Sequence, residues 1–476
     1  MTSVRKSIGY SLLSSNAVTA LQFLGSLVIA RLLTPEEIGV FSVAAVVVAL
    51  AQILRDLGAS AYIIQVEALT TEVLRAAFGV ALVAGATIGL ALAGASGIIA
   101  EFYDEPRVRV VMLILALNFA LTPFGAVTMA CVRREMGFRS LAVADSLSAC
   151  VSLATSVFLA YRGYGAASLA WASVAGTLAS CIASLFLRPA YLPWRPSLKG
   201  AGAILGFGSM TTSSTILGYL NMSAADLVLG KLAGMSAVAY FNRSASLSRF
   251  FGQMLNKALG PVLLPAMSAI RRNGGDMRTA FLDGTALLTG VTWPAYAVIA
   301  VASEPLILLL FGDQWQAAVP LVPYIALTAA ISATHFLCGT TYTARGTPGL
   351  NLAAEAINLP VKVLAIVFLA PHGVLAVAQG WPVIALASAA VHQILLNRAM
   401  GLTVAQLAGA VWKSAIVAAC AGAGGLAGAK GAGEVATGLA TGLAGVVVGA
   451  AIGGGFAMSG LNHPMWKEVV RLWNKR

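Results

Sequence analysis

The residues of this sequence best suited to chemistry are polar side chains that recur at helical spacing inside long apolar runs. In the clearest set the members are four, three, four and three residues apart, which places them on one helix face. They are Asn242, Ser246, Arg249, Gln253 and Asn256. Because a charged group in hydrocarbon costs about 3 kcal/mol, such a face should line a wet cavity or pack against another polar helix. A guanidinium offers planar, bidentate hydrogen bonds, so Arg249 could bind an anionic group such as phosphate.

Two further stripes have the same character. One comprises Thr212, Thr215, Tyr219, Ser223 and Asp226, and the other comprises Ser15, Thr19, Gln22 and Ser26. Hydroxyl and amide groups at these positions could form hydrogen bonds with a polar ligand. A structural alternative stays open for Arg249, which could instead form an ion pair with a buried acid such as Asp226 or Asp145.

The elements that carry these stripes are apolar runs long enough to cross a membrane. Of the 476 residues, 59% are hydrophobic and 10% are charged, whereas ordinary globular chains contain roughly 25% charged residues. We predict fourteen spans, because runs of this length cross about 30 Å of hydrocarbon. They cover 8–32, 38–60, 76–100, 108–131, 140–160, 165–187, 203–226, 237–265, 280–302, 317–343, 350–370, 374–396, 411–430 and 435–459. The first run is too long for a signal peptide and is predicted to be retained.

The basic residues predict the orientation of the chain. The net charge is +12, but the lysines and arginines are scattered through short connectors, which argues against nucleic-acid binding. With the N-terminus in the cytoplasm, 19 basic residues fall on the cytoplasmic side and 6 on the other. The positive-inside rule therefore predicts that both termini are cytoplasmic.

Several classes of function lack their sequence signals. No connector exceeds about 20 residues, which leaves no room for a nucleotide-hydrolysing domain. We find no acyl-transfer triad, no catalytic carboxylate pair and no metal-ligand cluster, and the five cysteines have neither metal nor disulfide spacing. The expected protein is an all-α polytopic transporter without a cofactor, rather than an enzyme.

An internal repeat divides the chain. Residues 31–33 and 38–41 resemble residues 231–233 and 238–241, and residues 102–104 weakly resemble 311–313. We predict an N-lobe over 1–200, a C-lobe over 201–400 and two extra helices over 401–476. Six spans in each lobe keep both lobes in the same orientation. Under the offset of 200 the polar stripes coincide, so both lobes are expected to present a polar wall to a shared central space.

Other polar or small residues in the spans suggest roles in cation coupling, in anchoring at the membrane surface and in helix packing. Asp226 and Glu355 are candidates for binding a coupling cation, although Glu355 could instead pair with Lys362 seven residues along its helix. Arg243 and Lys257 lie off the main stripe and are expected to extend to the membrane surface. Arg55 and Asp56 are expected at the interface. The last two spans have glycine stripes that predict close helix packing: Gly424, Gly428, Gly438, Gly442, Gly445, Gly449 and Gly453.

Ordered motifs along nearly the whole chain resemble polysaccharide transporters of the multidrug/oligosaccharidyl-lipid/polysaccharide exporter superfamily. The motifs include residues 30–41, residues 134–139, Asp226 with residues 230–232 and Tyr240, residues 264–267, the stretch from Glu304 to Trp315, and residues 344–346. The sequence is similar to lipopolysaccharide and exopolysaccharide flippases of the colanic-acid-exporter type.

The resemblance implies a fold of two six-helix lobes and a mechanism of alternating access. The substrate would be an undecaprenyl-diphosphate-linked oligosaccharide, which the protein would translocate across the inner membrane. A polysaccharide polymerase and other assembly proteins would be its partners. In this interpretation Arg249 would bind the diphosphate or an acidic sugar. The sugar hydroxyls would contact Asn242, Gln253, Asn256, Thr215, Tyr219 and Gln22. A cation-coupled multidrug antiporter, a lipid II flippase and a membrane-embedded sugar polymerase remain alternatives. The first span lacks the acid an antiporter would use, and no large loop exists for a polymerase site.

Overall fold

A computed structural model describes residues 19–56, 58–189, 191–193, 195–435, 438–461 and 463–466. Over these residues the secondary structure is helical, as predicted. The chain divides into two compact units, Met1–Ala239 and Tyr240–Arg476. Ser15 of the first predicted stripe lies outside the described residues.

The described residues of the first unit form eight helices and the start of a ninth. They are α1 (Thr19–Leu32), α2 (Pro35–Asp56), α3 (Ala59–Gln65), α4 (Thr71–Phe102), α5 (Pro106–Arg134), α6 (Phe138–Tyr161), α7 (Ala166–Phe186), α8 (Ala201–Leu232) and α9 (Met235–Arg272). Helix α4 packs along α5, α6 packs along α7, and α8 contacts α2, α3 and α4. A core of buried apolar residues joins α3, α4 and α5, with Ile63, Leu74 and Ala130 among its members.

The second unit contains the rest of α9 and all later helices. They are α10 (Met277–Val301), α11 (Ser303–Phe311), α12 (Val322–Ala333), α13 (Cys338–Arg345), α14 (Gly349–Leu369), α15 (Val374–Met400), α16 (Val404–Val435) and α17 (Leu439–Gly460). A 3₁₀ segment, Asp313–Leu321, connects α11 to α12. Helix α10 packs against α12 and α16, and α14 packs against α15.

Eleven helical segments of the described residues are long and apolar enough to cross a membrane. Each of the fourteen predicted runs overlaps a helix, but the number fourteen stays a prediction. The described part of α1 is short, and α8 and α9 are not among the eleven segments. Helix α9 carries the predicted polar stripe, which lowers its hydropathy. The expectation of a polytopic all-α membrane protein is confirmed.

Side-chain caps explain where two of the spans begin. The Thr34 backbone N–H donates to Glu37 Oε2 at 2.8 Å, and the Glu37 backbone N–H donates to Thr34 Oγ1 at 3.3 Å. Thr403 and Gln406 form the same reciprocal pair before α16. This arrangement satisfies N–H groups that have no partner in the first turn of a helix. The family-like sequence Thr34-Pro35-Glu36-Glu37 is therefore a helix start.

The predicted span 38–60 differs from the structure, because the helix is interrupted within it. Helix α2 ends at Asp56, and α3 begins at Ala59. Gly58 has a φ of 67°, a left-handed conformation that glycine adopts without steric cost and that ends helices. The break turns a single apolar run into a long helix and a short one that line a common cavity.

The turns related by the internal repeat contact each other within the first unit. A Cβ atom added to Gly39 would lie 1.9 Å from the Met235 carbonyl oxygen, so only glycine permits this approach. Lys231 Nζ lies 2.7 Å from Asp104 Oδ2, and the Tyr103 hydroxyl donates to the Leu227 carbonyl oxygen at 3.1 Å. These contacts place α8 in the first compact unit. The predicted lobes, 1–200, 201–400 and 401–476, stay a prediction about the membrane arrangement.

Glycine packing between α16 and α17 agrees with the prediction for five of the seven glycines. A Cβ atom at Gly428 would lie 2.0 Å from the Gly445 carbonyl oxygen, and one at Gly449 would lie 2.0 Å from the Gly424 carbonyl oxygen. Gly453 makes a similar approach to Cys420. The prediction is wrong for Gly442, which has no atom nearby, and for Gly438, which precedes α17 as its N-cap.

Candidate substrate-binding surfaces

The polar face of α9 lies in the second unit and presents its predicted residues at the surface. Arg249, Gln253 and Asn256 are exposed, and Asn242 is half-buried. The Arg249 Nη2 group donates to Asn242 Oδ1 at 2.6 Å and to the Asn242 carbonyl oxygen at 3.1 Å. This pair of bonds fixes the guanidinium along the helix, with its planar face of N–H groups on the exposed side chain.

Arg243 does not extend to the membrane surface, so that expectation is wrong. Its guanidinium carbon lies 4.4 Å from the centre of the Phe311 ring and 4.7 Å from the centre of the Trp315 ring. Both rings are fully buried. Cation–π attraction to two rings stabilises the charge. It also explains the place of Trp315 in the motif that begins at Glu304, because this segment carries both rings.

A second polar surface lies in the first unit, around the break between α2 and α3. A cavity of about 450 Å³ there is lined by Ala49, Gln52, Ile53, Asp56, Gly58, Ala61, Thr212, Thr215 and Tyr219. Helix α8 contributes the three residues of the predicted stripe, and α2 contributes an amide and a carboxylate. The structure thus brings Thr215 and Tyr219 together, as the stripe predicted, and adds Gln52 and Asp56 to them.

Gln52 and Asp56 are functional candidates that the sequence interpretation missed. Asp56, for which a place at the membrane interface stays a prediction, lines the cavity and accepts a hydrogen bond from Ser60 Oγ at 2.8 Å. The residue sequence Asp56-Leu57-Gly58 carried a signal, because a glycine after an amphipathic run is a common helix end. If the helix had been predicted to end there, Gln52 and Asp56 would have been placed in its last turns, next to the interruption.

The remaining predicted residues lie elsewhere. Gln22 is exposed on α1 and does not line this cavity. Asp226 is half-buried near the far end of α8, where its charge acts on Tyr103. Burial, and secondarily the Asp226 carboxylate, raise the pKa of the Tyr103 phenol to about 12. Glu355 and Lys362 are half-buried on α14, and their charges act on each other. An ion-coupling role for Asp226 or Glu355 stays a prediction.

Arg134, from the second family-like motif, holds the end of α3, a helix that contributes Ala61 to the cavity. Its guanidinium donates to the carbonyl oxygens of Ile63, Ile64, Val66 and Glu67 at distances from 2.6 to 3.3 Å. These residues form the end of α3 and the connector after it. The motif therefore fixes the short helix that follows the break at Gly58.

The sequence matches the family described as "Polysaccharide biosynthesis protein" over residues 28–320, which is more than half of the chain. The protein belongs to this family. It is 24% identical over 332 residues to the succinoglycan biosynthesis transport protein ExoT of Rhizobium meliloti (strain 1021), an alignment that covers 69% of this chain and 66% of the relative. It is 22% identical over 328 residues to the lipopolysaccharide biosynthesis protein WzxC of Escherichia coli (strain K12), covering 68% and 66%. The chain thus spans about two thirds of the length of these relatives.

Solved structures show the same fold. A lipid II flippase, MurJ, in an inward closed conformation superposes with a TM-score of 0.75 at 11% identity, covering 95% of this chain and 99% of that one. An inward-facing multidrug resistance transporter of the MATE family superposes with a TM-score of 0.65 at 16% identity, covering 80% and 95%. The family match confirms the predicted relation to polysaccharide biosynthesis proteins, and the solved structures show the fold.

Proposed function

We propose that this protein is a flippase that translocates an oligosaccharide repeat unit, linked to undecaprenyl diphosphate, across the inner membrane for polysaccharide biosynthesis. Membership in the polysaccharide biosynthesis family and the names of the relatives support the substrate class. The observation that carries the proposal is the exposed polar face of α9, where Asn242 fixes the guanidinium of Arg249. Such a face on a membrane helix suits a ligand with a charged group and many hydroxyls.

The roles of the two polar surfaces follow from their chemistry. Arg249 would bind the diphosphate or an acidic sugar through charge-assisted hydrogen bonds from its exposed guanidinium. Gln253 and Asn256 would form hydrogen bonds with sugar hydroxyls, as would Thr215 and Tyr219 in the cavity of the first unit. Gln22 remains a further candidate. Alternating access would expose these surfaces first to the cytoplasmic leaflet and then to the outer one, while the lipid tail stays in the bilayer.

The proposed setting is the inner membrane with both termini in the cytoplasm, as the distribution of lysines and arginines predicts. The proposed assembly partner is a polysaccharide polymerase. The translocated unit must next be joined to a growing chain, and a polymerase would perform that step.

The test compares Arg249→Ala with wild type in a deletion strain. Loss of a charge-assisted contact to phosphate should slow export about tenfold or more. Surface polysaccharide should fall, and the lipid-linked intermediate should accumulate on the cytoplasmic face. Arg272→Ala, which removes an exposed arginine from the end of the same helix, is the matched control and should export normally.

Other results would exclude the proposal. Normal export by Arg249→Ala at normal protein level would remove Arg249 from the substrate site. Normal polysaccharide with new drug sensitivity in the deletion strain would favour an antiporter. Loss of polymer with single repeat units already outside would favour a polymerase, and loss of viability with arrested peptidoglycan synthesis would favour a lipid II flippase.

A further inference from the structure

A second basic site lies in the second unit, where three helix ends meet. A cavity of about 400 Å³ is lined by Arg271, Gly274, Gly275, Asp276, Met277, Arg278, Arg345 and Met400. These residues come from the end of α9, the connector to α10, the end of α13 and the end of α15. Three arginines against one aspartate leave two positive charges around a space that could hold a small anion.

Two of the arginines are positioned by helix ends. Arg271 Nη1 donates to the Ala344 carbonyl oxygen at 2.8 Å, and Arg278 Nε donates to the Met400 carbonyl oxygen at 3.0 Å. The glycines that follow, Gly346 and Gly401, have φ values of 79° and 65° and leave room for the guanidinium groups. Each bond uses one of five N–H donors, so both side chains are oriented and still have donors available.

Arg345 is the least satisfied of the three. Its Nε atom is buried and has no hydrogen-bond partner. A buried guanidinium N–H without an acceptor is costly, so hydrogen bonds from the rest of this guanidinium to an anion would stabilise the side chain. The cavity brings Arg345 beside Arg271 and Arg278, so an anion there would face three positively charged side chains.

Asp276 offsets only one of the three positive charges. Its carboxylate accepts from the Arg278 backbone N–H at 2.9 Å and from Thr279 Oγ1 at 2.7 Å, as the N-cap of α10. These hydrogen bonds, that of Thr279 first, lower the pKa of the Asp276 carboxyl below its usual value. The carboxylate is therefore occupied with the helix, and the excess positive charge of the arginines is left for another anion.

We propose that this cavity binds a phosphate group, held by Arg271, Arg278 and Arg345. Planar guanidinium groups match the tetrahedral oxygens of phosphate with paired hydrogen bonds. The group could belong to an anionic phospholipid or be free phosphate. The connectors are among those predicted to be cytoplasmic, and basic pockets at that membrane face suit lipid head groups. The site is separate from the polar face of α9, and its occupation does not depend on which substrate is transported.

The experiment uses the purified full-length protein. Thermal unfolding is followed in neutral detergent against increasing inorganic phosphate, with chloride at equal ionic strength as reference, and in nanodiscs of phosphatidylcholine with or without phosphatidylglycerol. A saturable rise in Tm with inorganic phosphate identifies free phosphate. A rise that requires phosphatidylglycerol, without a response to inorganic phosphate, identifies a lipid head group.

Variants connect either response to the cavity. Arg345→Gln should weaken binding about tenfold or more, since it removes one charge-assisted contact. Arg345→Lys should recover part of the response, because it keeps the charge but loses the planar donors. Arg272→Gln removes the neighbouring exposed arginine that does not line the cavity, and it should respond like wild type.

The proposal is overturned if wild type shows no saturable response to either phosphate source, or if Arg345→Gln and Arg345→Lys both respond like wild type. An equal loss in Arg272→Gln would also overturn it, since the effect would then come from general surface charge. If Arg345→Gln does not fold, the Tm response of Arg345→Lys is compared with that of wild type, and an unchanged response overturns the proposal. Transport activity is not a readout, so failure of this site and failure of the flippase proposal are distinguishable.

Discussion

At the residue scale, the arginines of this protein make very different contacts. Arg249 is exposed on the polar face of α9, Arg243 is stacked between two buried rings, and Arg134 holds backbone carbonyl groups. The environment of each guanidinium decides its role: an exposed guanidinium can contact a ligand, whereas one packed on aromatic rings or bonded to carbonyl groups stabilises the structure.

Arg134→Ala tests the structural role. The variant leaves four carbonyl oxygens at the end of α3 without their donor, and we expect a free energy of unfolding lower by about 2 kcal/mol. Thermal unfolding in detergent measures the change. Arg134→Lys should recover only part of it, because one ammonium group cannot reach carbonyl groups spread over several residues.

Arg133→Ala provides the control, because Arg133 is the exposed neighbour on the same helix. Its Tm should stay close to that of wild type. Equal Tm values for Arg134→Ala and Arg133→Ala would show that the bonds to the end of α3 do not stabilise the fold.

The sequence predicted some of these roles and not others, for a physical reason. The stripe that contains Arg249 was visible because helical periodicity depends only on spacing along one helix. Arg243 was misinterpreted because its partners, Phe311 and Trp315, are about seventy residues away in sequence. Gln52 and Asp56 were missed because the break at Gly58 decides their surroundings, and a long apolar run conceals such a break.

At the element scale, α16 and α17 pack through their backbones. Gly424 and Gly428 face Gly445 and Gly449 so closely that a Cβ atom on one helix would overlap the other. Small residues at such positions let membrane helices gain dispersion contacts along their length, since lipid tails supply no hydrophobic force between helices. The glycine spacing was sufficient to predict the pairing, but the exact members depended on where α17 begins.

Gly428→Ala tests this packing. Alanine normally favours a helix over glycine, yet here its Cβ atom would lie 2.0 Å from the Gly445 carbonyl oxygen. We expect the free energy of unfolding to fall by about 1–3 kcal/mol, because the backbones must separate. The measurement is thermal unfolding in detergent.

The control for Gly428→Ala is Gly431→Ala, one turn further along the same helix. No atom lies within 4 Å of a Cβ atom at Gly431, so alanine there should leave the Tm unchanged or raise it. If Gly428→Ala is as stable as Gly431→Ala, the close approach of α16 and α17 is not required for the fold.

At the scale of the whole molecule, the family and the fold are established, and the orientation in the membrane is a prediction. The prediction depends on 19 basic residues on one side against 6 on the other. Helix α6 offers a direct test because it spans 24 residues, about 36 Å at 1.5 Å per residue. That length exceeds the roughly 30 Å hydrocarbon layer, so its two ends should lie on opposite sides.

Single cysteines at the ends of α6 test the orientation. In a background without the five native cysteines, Tyr164→Cys and Arg139→Cys each introduce one thiol at an exposed position. Tyr164→Cys should react with a membrane-impermeant maleimide in intact spheroplasts. Arg139→Cys should react only after lysis, because it lies in a connector predicted to be cytoplasmic. Polysaccharide export by the background variant confirms that it folds.

The two possible failures of this labelling test have different consequences. Reversed labelling would contradict the positive-inside assignment, which is also the basis for predicting that the cavity of Arg271, Arg278 and Arg345 is cytoplasmic. Reaction of both thiols in intact spheroplasts would mean that α6 does not separate the two sides. Labelling as predicted would support the positive-inside assignment, which predicts that cavity on the side where a flippase collects its lipid-linked substrate and where anionic head groups are present.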